Sequence, residues 1–235
     1  MKFGLTQSFN CSYLPEKEEQ LLVYTEREQD LATRYSQLIR AGFRRSGNLI
    51  YRPHCPSCDA CQSIRIPIKD FSPSRSQRRL LNKNKHLNTQ LSYTTNDKYY
   101  PLYERYINTR HQDGSMYPAS VEQYKGLIEC AWKPPIFIEA YLDNELVAVA
   151  ITDHIEQEGG ERAFSALYTF FAPELAHASM GTWMILQQIT HGQAKNYDFL
   201  YLGYQVDACQ KMNYKTKFLP HERFLQNKWQ KNPSN

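Results

Sequence analysis

The chain has 235 residues, 41% of them hydrophobic and 22% charged, with a formal net charge of +4. This is the composition of a globular protein with room for one large domain or two small ones. No apolar run approaches the roughly 20 residues of a membrane helix, and the start, MKFGLTQSFNCSYLPEKEEQ, lacks the apolar core of a signal peptide. We therefore expect no membrane partner and a cytoplasmic location.

The first region, residues 1–90, is predicted to mix short strands with two helices. An apolar run, LLVYTE, precedes a helix in DLATRYSQLIRAGF, which has an apolar face at helical spacing and ends near Gly42. Two strands, LIYRP and SIRIPI, flank a cysteine-rich segment. A basic helix follows in SPSRSQRRLLNKNKH, with Ser74 near its start.

The second region, residues 91–235, begins with helices in KYYPLYERYINTRH and SVEQYKGLIECAW. IFIEAYL and ELVAVAITDHI then form a hairpin around Asp143-Asn144, and ERAFSALYTFF follows a turn at Gly159-Gly160. A helix in SMGTWMILQQITHGQAKN leads to a last strand, DFLYLGYQV. This order, three antiparallel strands followed by a helix and a further strand, is that of the core of N-acetyltransferase-like (GNAT-like) acyltransferases. We predict an α+β fold in which this region is a GNAT-like mixed sheet with flanking helices.

The cysteine-rich segment HCPSCDAC carries the sharpest local pattern. Its two successive CxxC spacings place Cys55, Cys58 and Cys61 in one tight loop. With Cys11 or His54 as a fourth ligand, these thiolates could hold a structural or regulatory zinc ion or an iron–sulfur cluster. A distant second CxxC pair is missing, so a turn with reduced, partly buried thiols is the alternative. A redox or metal sensor would be a further function of this loop.

Three basic or polar clusters are candidate binding surfaces. The basic helix and the strand before it form a cationic strip suited to nucleic-acid phosphates, although a solvated helix face would look the same. The loop after ERYINTR and the segment YLGYQVDACQKMNYK could line a cleft. Gly203, between two tyrosines, indicates a bulge or a close backbone approach. The candidate substrate-binding residues in these clusters are Arg65, Arg75, Arg78, Arg110, Asp113, Ser115, Lys211 and Lys215.

Several common enzyme motifs are absent. The chain has no Gly-x-Ser-x-Gly elbow, P-loop, HExxH or GxGxxG, which leaves hydrolase, NTPase and dinucleotide chemistry without support. Acetyltransferases that use coenzyme A place a glycine-rich loop before the central helix, whereas PELAHASMGTW contains only Gly181. We therefore expect no organic cofactor.

Ordered blocks along the chain carry a family resemblance. They are FNCSYLPEKEEQ, YRPHCPSCDACQSIRIPIKDFSPSRSQRR, DGSMYP, LYTFFAPELAHASMGTWMILQQI and FLYLGYQVDACQKMNYKTKFLPHE. Over residues 9–225 the chain resembles the arginyl-tRNA–protein transferase family, and its short length and PHCPSCDAC form resemble the bacterial aspartate/glutamate leucyltransferases. The resemblance implies an N-terminal cysteine-bearing domain before the acetyltransferase-like one.

The resemblance also implies an activity, the transfer of leucine from leucyl-tRNA to proteins that begin with Asp or Glu, which marks them for degradation. An arginyl-tRNA donor, a coenzyme A-dependent N-acetyltransferase and a non-catalytic RNA-binding module are the alternatives. Such a transfer needs hydrogen-bond donors for an oxyanion or a proton relay, and the candidates are Tyr168, Tyr201, Tyr204 and Asn213. A cation must hold the acceptor carboxylate, for which Arg75, Arg78 and Lys211 are candidates.

Overall fold

A computed structural model describes residues 1–156 and 160–231 of the protein. In this part of the chain the helices are α1 (Glu28–Arg40), α2 (Arg75–Lys83), α3 (Tyr99–Arg110), α4 (Val121–Ile128) and α5 (Met180–Ala194). The first strands are β1 (Phe3–Leu5), β2 (Phe9–Asn10), β3 (Glu18–Glu19), β4 (Leu21–Tyr24), β5 (Arg44–Ser46), β6 (Leu49–Pro53) and β7 (Gln62–Pro67). The remaining strands are β8 (Asn88–Ser92), β9 (Ile136–Leu142), β10 (Glu145–Glu156), β11 (Arg162–Phe171), β12 (Phe199–Gln205), β13 (Glu222–Leu225) and β14 (Lys228–Lys231).

The predicted α+β class is confirmed, and the predicted helices and strands lie where expected, with ends that differ by a few residues. Local chemistry explains several of these ends. Ser74 caps α2, accepting a hydrogen bond from the Gln77 backbone N–H while the Gln77 side chain accepts one from Ser74 N. Asp143 and Asn144 both take a positive φ, as a tight hairpin turn requires. Gly159 of the predicted Gly159-Gly160 turn lies outside the described residues.

An eight-stranded mixed sheet organises the molecule, in the order β14-β13-β7-β12-β11-β10-β9-β8. Every neighbouring pair in it is antiparallel except β11 and β12, which are parallel. Strand β7, from the first predicted region, lies between β13 and β12 of the second region. Strands from both sides of residue 90 therefore share this sheet. The division into two domains at this residue stays a prediction.

Helices cover both faces of the large sheet. The neighbouring residues Thr152 and Asp153 of β10 point to opposite faces, as in any strand. Thr152 Oγ1 accepts a hydrogen bond from Gln188 of α5, whereas Asp153 accepts one from Tyr35 of α1. Helices α5 and α2 therefore lie on one face. Helices α1 and α3 lie on the other, together with a four-stranded sheet in the order β1-β4-β6-β5. None of the described helices is long and apolar enough to cross a membrane.

Candidate active site

A cleft opens where the two parallel strands of the sheet diverge. Strands β11 and β12 pair only over Ala163–Ser165 and Phe199–Tyr201, and beyond these residues they separate. The resulting cleft has a volume of about 790 Å³ and is lined by the second half of β11, the start of α5, the segment after β12, the end of α3 and strand β5. Concave sites of this size suit small ligands or the end of a larger one.

The buried guanidinium of Arg44 lies on the floor of this cleft. It donates hydrogen bonds to Ser165 Oγ at 3.1 Å and to the Ala166 carbonyl oxygen at 2.5 Å, both on β11. On the opposite side it meets Gly203 of β12, whose φ is +84°, and a Cβ added there would lie 3.4 Å from Arg44 Cζ. The pairing of β12 with β7 shifts between Tyr201 and Gly203. The prediction that Gly203 marks a bulge or a close approach therefore agrees with the register shift and with the contact to Arg44.

Lys215 is a second buried cation in the cleft. Its ammonium group donates a hydrogen bond to the backbone carbonyl of Tyr204 on β12. Burial, and then the positive charge of Arg44, lower the pKa of Lys215 to about 8. Among the described residues, no carboxylate forms an ion pair with Arg44 or Lys215.

Arg45, the next residue of β5, shows the contrasting arrangement. Its guanidinium forms a two-point pair with Asp153, with Nη2 2.6 Å from Oδ1 and Nε 2.8 Å from Oδ2. Tyr35 donates to the same carboxylate at 2.8 Å. Burial acts against the charged form, yet the hydrogen bond and the charge of Asp153 raise the pKa of Arg45 above its usual range. This pair is neutralised within the fold and joins α1 and β5 to the large sheet.

The end of α3 and the segment after β12 form the rim of the cleft. Arg110 and His111 come from α3 and its cap, and exposed Lys211 faces them from the other segment. Burial, and then the charges of Arg110 and Lys211, lower the pKa of His111, so its imidazole is neutral at neutral pH. Its buried Nε2 has no hydrogen-bond partner among the described residues, and the ring packs against Tyr106 with centroids 4.9 Å apart.

Some of the predicted site residues meet in this cleft. Those that line it are Tyr168, Tyr204, Arg110, Lys211 and Lys215. Burial, and then the neighbouring Tyr106, raise the pKa of Tyr168 well above its usual range, so its hydroxyl is a neutral donor. The hydroxyl of Tyr204 is instead 3.1 Å from the carbonyl oxygens of both Gly42 and Tyr51 and donates to one of them.

The remaining predicted residues lie outside the cleft lining, and their roles stay predictions. Buried Tyr201 accepts a hydrogen bond from Arg65, which pairs with Glu222 at 2.7 Å. Arg65 also lies over the Phe199 ring at 3.7 Å and the Trp229 ring at 4.3 Å. Asn213 Oδ1 accepts from the Gln205 amide, Arg75 and Arg78 lie on α2, and Asp113 and Ser115 are in an exposed loop.

Two residues of this site were not predicted from the sequence. Arg44 lies in a short strand with no recognisable motif, and its contacts on β11 are 121 and 122 residues away along the chain. Gln188 is fully buried in α5, and its Nε2 donates to Thr152 Oγ1 at 2.8 Å while its Oε1 has no partner among the described residues. The position of Gln188 among the apolar residues of α5, next to Gln187, was the available signal for it.

The predicted zinc or iron–sulfur site is not supported. Among the described residues no group of three or more His, Cys, Asp or Glu side chains could hold a metal ion, although Cys55, Cys58 and Cys61 share one loop as expected. Two of the thiols are engaged with backbone: Cys55 Sγ donates to the Gln20 carbonyl at 3.8 Å, and Cys11 Sγ accepts from a backbone N–H at 3.5 Å. Burial, and then the neighbouring Cys11, raise the pKa of Cys61 to about 12.

A mixed sheet whose two parallel strands diverge around a cleft, with a helix starting at its edge, defines an acetyltransferase-like fold. The C-terminal DUF2156 domain of a putative lysylphosphatidylglycerol synthetase from Agrobacterium fabrum has this fold. Its TM-score with the protein is 0.51, its sequence identity is 12%, and the match covers 84% of this chain and 62% of that one. At this identity the likeness concerns the fold alone.

Sequence comparison defines the family. The models of the N terminus and the C terminus of arginine-tRNA-protein transferase match residues 9–79 and 98–225. The chain belongs to this family, as the resemblance predicted. Similar proteins include the aspartate/glutamate leucyltransferases of Pseudoalteromonas atlantica (55% identity, 98% of this chain and 97% of that one) and Aeromonas salmonicida (51%, 97% and 94%). The Shewanella putrefaciens protein of the same name is 44% identical, over 97% of this chain and 94% of that one.

Proposed function

We propose that the protein transfers leucine from leucyl-tRNA to the N-terminal α-amine of proteins that begin with Asp or Glu and so marks them for degradation. The cytoplasm, which holds both substrates, is the proposed location. One observation carries the proposal. Among the described residues, the cleft is lined by the cationic side chains of Arg44, Arg110, Lys211 and Lys215, by Arg45 with its charge paired to Asp153, and by no Asp or Glu.

This charge pattern fits an acidic acceptor and an apolar donor. An arginyl group would need carboxylates for its guanidinium, and the cleft wall offers it only cations and neutral groups. The same wall contains Leu167, Phe171, Met180, Ile185 and Leu202, which can enclose a leucyl side chain. These features favour leucyl-tRNA over arginyl-tRNA, in agreement with the names of the similar proteins.

The reaction needs little chemical activation. The leucyl ester on the tRNA 3′ ribose is already reactive, and a protein α-amine has a pKa of about 7.7–8.0, so much of it is neutral at neutral pH. The amine nitrogen bonds to the ester carbon, the bond to the ribose oxygen breaks, and the proton lost by nitrogen goes to the ribose oxygen. Holding both substrates in one cleft is worth several kcal/mol, roughly 7 or more for ideal alignment.

Three side chains of the cleft suit the remaining steps. The neutral hydroxyl of Tyr168 is a donor for the developing oxyanion, a contribution of about 3 kcal/mol in favourable cases. The unpartnered Nε2 of neutral His111 can accept the proton from the attacking amine and pass it on. The free Oε1 of Gln188 can accept an N–H from the leucyl α-ammonium group.

Coenzyme A-dependent acetyl transfer is the second enzymatic candidate, and it has less support. The segment that leads into the first turn of α5, residues 173–183, contains a single glycine, Gly181, and so lacks a glycine-rich loop that would approach a pyrophosphate. A thermal shift on adding acetyl-CoA would favour it. A non-catalytic RNA-binding module predicts tRNA binding without acyl transfer.

The test of the proposed function is a transfer assay. Purified protein is incubated with radiolabelled leucyl-tRNA or arginyl-tRNA and a peptide that begins with Asp. We expect label in the peptide from leucyl-tRNA. Label from arginyl-tRNA alone would reject the leucine assignment, and binding of both tRNAs without transfer would leave only the RNA-binding module.

A further inference from the structure

Two buried cations have no acidic partner among residues 1–156 and 160–231, which the structure describes. Arg44, Arg45, Arg65 and Lys215 are the buried arginines and lysines of the described chain. Arg45 pairs with Asp153 and Arg65 pairs with Glu222. Arg44 and Lys215, each 7% exposed, have only neutral oxygen atoms as hydrogen-bond partners there. A buried charge without a counter-ion is costly, so a fold that retains two of them in one place is suited to bind an anion.

The two unpaired cations lie together at the point where the parallel strands separate. Arg44 is bonded to Ser165 and Ala166 of β11, and Lys215 is bonded to Tyr204 of β12. They lie close enough together for the positive charge of Arg44 to lower the pKa of Lys215. Both line the cleft, and both retain N–H groups beyond those used in these bonds.

We propose that Arg44 and Lys215 form the pocket for the side-chain carboxylate of the acceptor's N-terminal Asp or Glu. The inference rests on the proposed function and identifies the residues that select an acidic acceptor. It replaces Arg75 and Arg78, which lie on α2 outside the cleft lining, as candidates for this role.

The depth of the pair favours a carboxylate over a tRNA phosphate. A polynucleotide backbone is bulky and follows the surface, where exposed Lys211, the rim residue Arg110 and the basic face of α2 can meet it. A carboxylate at the end of one or two methylenes can reach a buried guanidinium and bind it in the planar arrangement that arginine favours. A carboxylate held at the strand divergence also leaves the acceptor's α-amine within the cleft, beside the leucyl ester.

Kinetics with two acceptors tests this pocket. The kcat/KM for transfer from saturating leucyl-tRNA is measured with matched peptides that begin with Asp or with Asn, which has the same shape and no charge. We expect Arg44→Gln and Lys215→Gln each to lower the value for the Asp peptide by about 10- to 100-fold, as for a lost hydrogen bond to a charged group. The Asn value should change little, so the preference for Asp should collapse. Lys217→Gln, an exposed lysine two residues from Lys215, is the matched control and should behave as wild type.

The other outcomes are distinguishable. If wild-type protein transfers leucine to neither peptide, the proposed function is wrong. If wild type transfers and both variants keep its preference for Asp over Asn, only the carboxylate pocket is wrong. If the variants keep that preference but bind leucyl-tRNA more weakly and with a smaller salt dependence, Arg44 and Lys215 hold a phosphate instead.

A measurement on wild-type protein covers the case in which the buried variants fail to fold. Lys215 is labelled with an amine-reactive reagent and identified by mass spectrometry, with or without a saturating peptide. We expect the Asp peptide to protect Lys215 and the Asn peptide to leave its labelling unchanged. Equal labelling with and without the Asp peptide would overturn the inference.

Discussion

At the scale of single residues, neighbouring arginines of one strand have different environments. Arg45 meets a carboxylate and a tyrosine inside the fold, whereas Arg44 meets a hydroxyl and a carbonyl oxygen on the floor of a cleft. The first arrangement is electrically complete and stabilises the fold. The second is complete only with an anion from outside, and this difference separates a structural residue from a candidate binding residue.

The pKa of Lys215 gives the transfer reaction an expected pH dependence. Binding a carboxylate needs the charged ammonium, which is lost as pH rises through about 8 in the free enzyme. The acceptor amine becomes reactive as pH rises through about 7.7–8.0, so kcat/KM for an Asp peptide should peak near pH 8 and fall above it. Burial and then the charge of Arg44 lower this pKa, and Cys209 and Cys61 act in the opposite direction.

The variant Lys215→Arg isolates this group, because an arginine stays charged throughout this range. We expect its pH profile to rise and then stay level up to pH 9, with initial rates measured to limit ester hydrolysis. A fall above pH 8 in Lys215→Arg as steep as that in wild type would assign the descending limb to another group.

His111 gives a second prediction at this scale. Its neutral imidazole has an unpartnered ring nitrogen in the cleft wall, so His111→Gln should lower kcat about 100-fold, the lower end of the effect of general-base removal. The KM for the Asp peptide should change little, because the histidine does not hold the carboxylate. His86→Gln, an exposed histidine outside the cleft lining, is the control. An unchanged kcat in steady-state assays of His111→Gln would show that the proton leaves by another route.

At the scale of secondary-structure elements, the buried Arg45–Asp153 pair joins β5 and α1 to β10. Removing one partner leaves a buried charge alone, so Asp153→Ala should lower the free energy of unfolding by about 3–5 kcal/mol. The double variant Asp153→Leu with Arg45→Met removes both charges and should be less destabilised than Asp153→Ala. Urea unfolding followed by circular dichroism measures both.

The exposed Asp97 supplies the comparison for this experiment, and Asp97→Ala should unfold like wild type. Equal stability of Asp153→Ala and wild type would mean that the pair contributes nothing to the attachment of these elements.

Elements formed by local pattern were predictable, and their long-range pairing was not. Helix α1, helix α5 and the meander of β9, β10 and β11 follow from apolar periodicity and turn residues close together in the chain. The insertion of β7 between β13 and β12 joins segments far apart in sequence, and no local pattern specifies it. For the same reason Lys215 could be placed near the cleft from its position after β12, whereas Arg44 could not.

The cysteine loop shows a different limit of sequence reasoning. Spacing brought Cys55, Cys58 and Cys61 into one loop, as expected. It did not fix where each sulfur atom points, because that depends on the backbone of the segments that pack around the loop. The carbonyl of Gln20, from a separate segment, accepts the hydrogen bond of Cys55.

At the scale of the whole molecule, the basic face of α2 is connected to the cleft. Asn84 and Lys83, at the end of α2, donate hydrogen bonds to the carbonyl oxygens of Ala178 and His177. The turn that contains His177 and Ala178 leads directly into the start of α5, which lines the cleft. A tRNA whose 3′ end enters the cleft beside α5 would therefore pass close to Arg75, Arg78 and Arg79, and these residues are better suited to its phosphates than to the acceptor carboxylate.

Replacing Arg75, Arg78 and Arg79 together by Gln should weaken leucyl-tRNA binding and reduce its salt dependence. Each lost phosphate contact lowers the slope of log K against log salt by about 0.7–0.9. The ratio of kcat/KM values for Asp and Asn peptides should stay at its wild-type value, because acceptor recognition lies elsewhere. Filter binding between about 50 and 200 mM salt measures the slope. Over this range, a protein that makes about six phosphate contacts loses much of its affinity. A triple Gln variant of exposed Lys2, Lys17 and Lys228 removes the same charge and is the control. An equal loss of slope in this control would mean that α2 contributes only through the net charge of the protein.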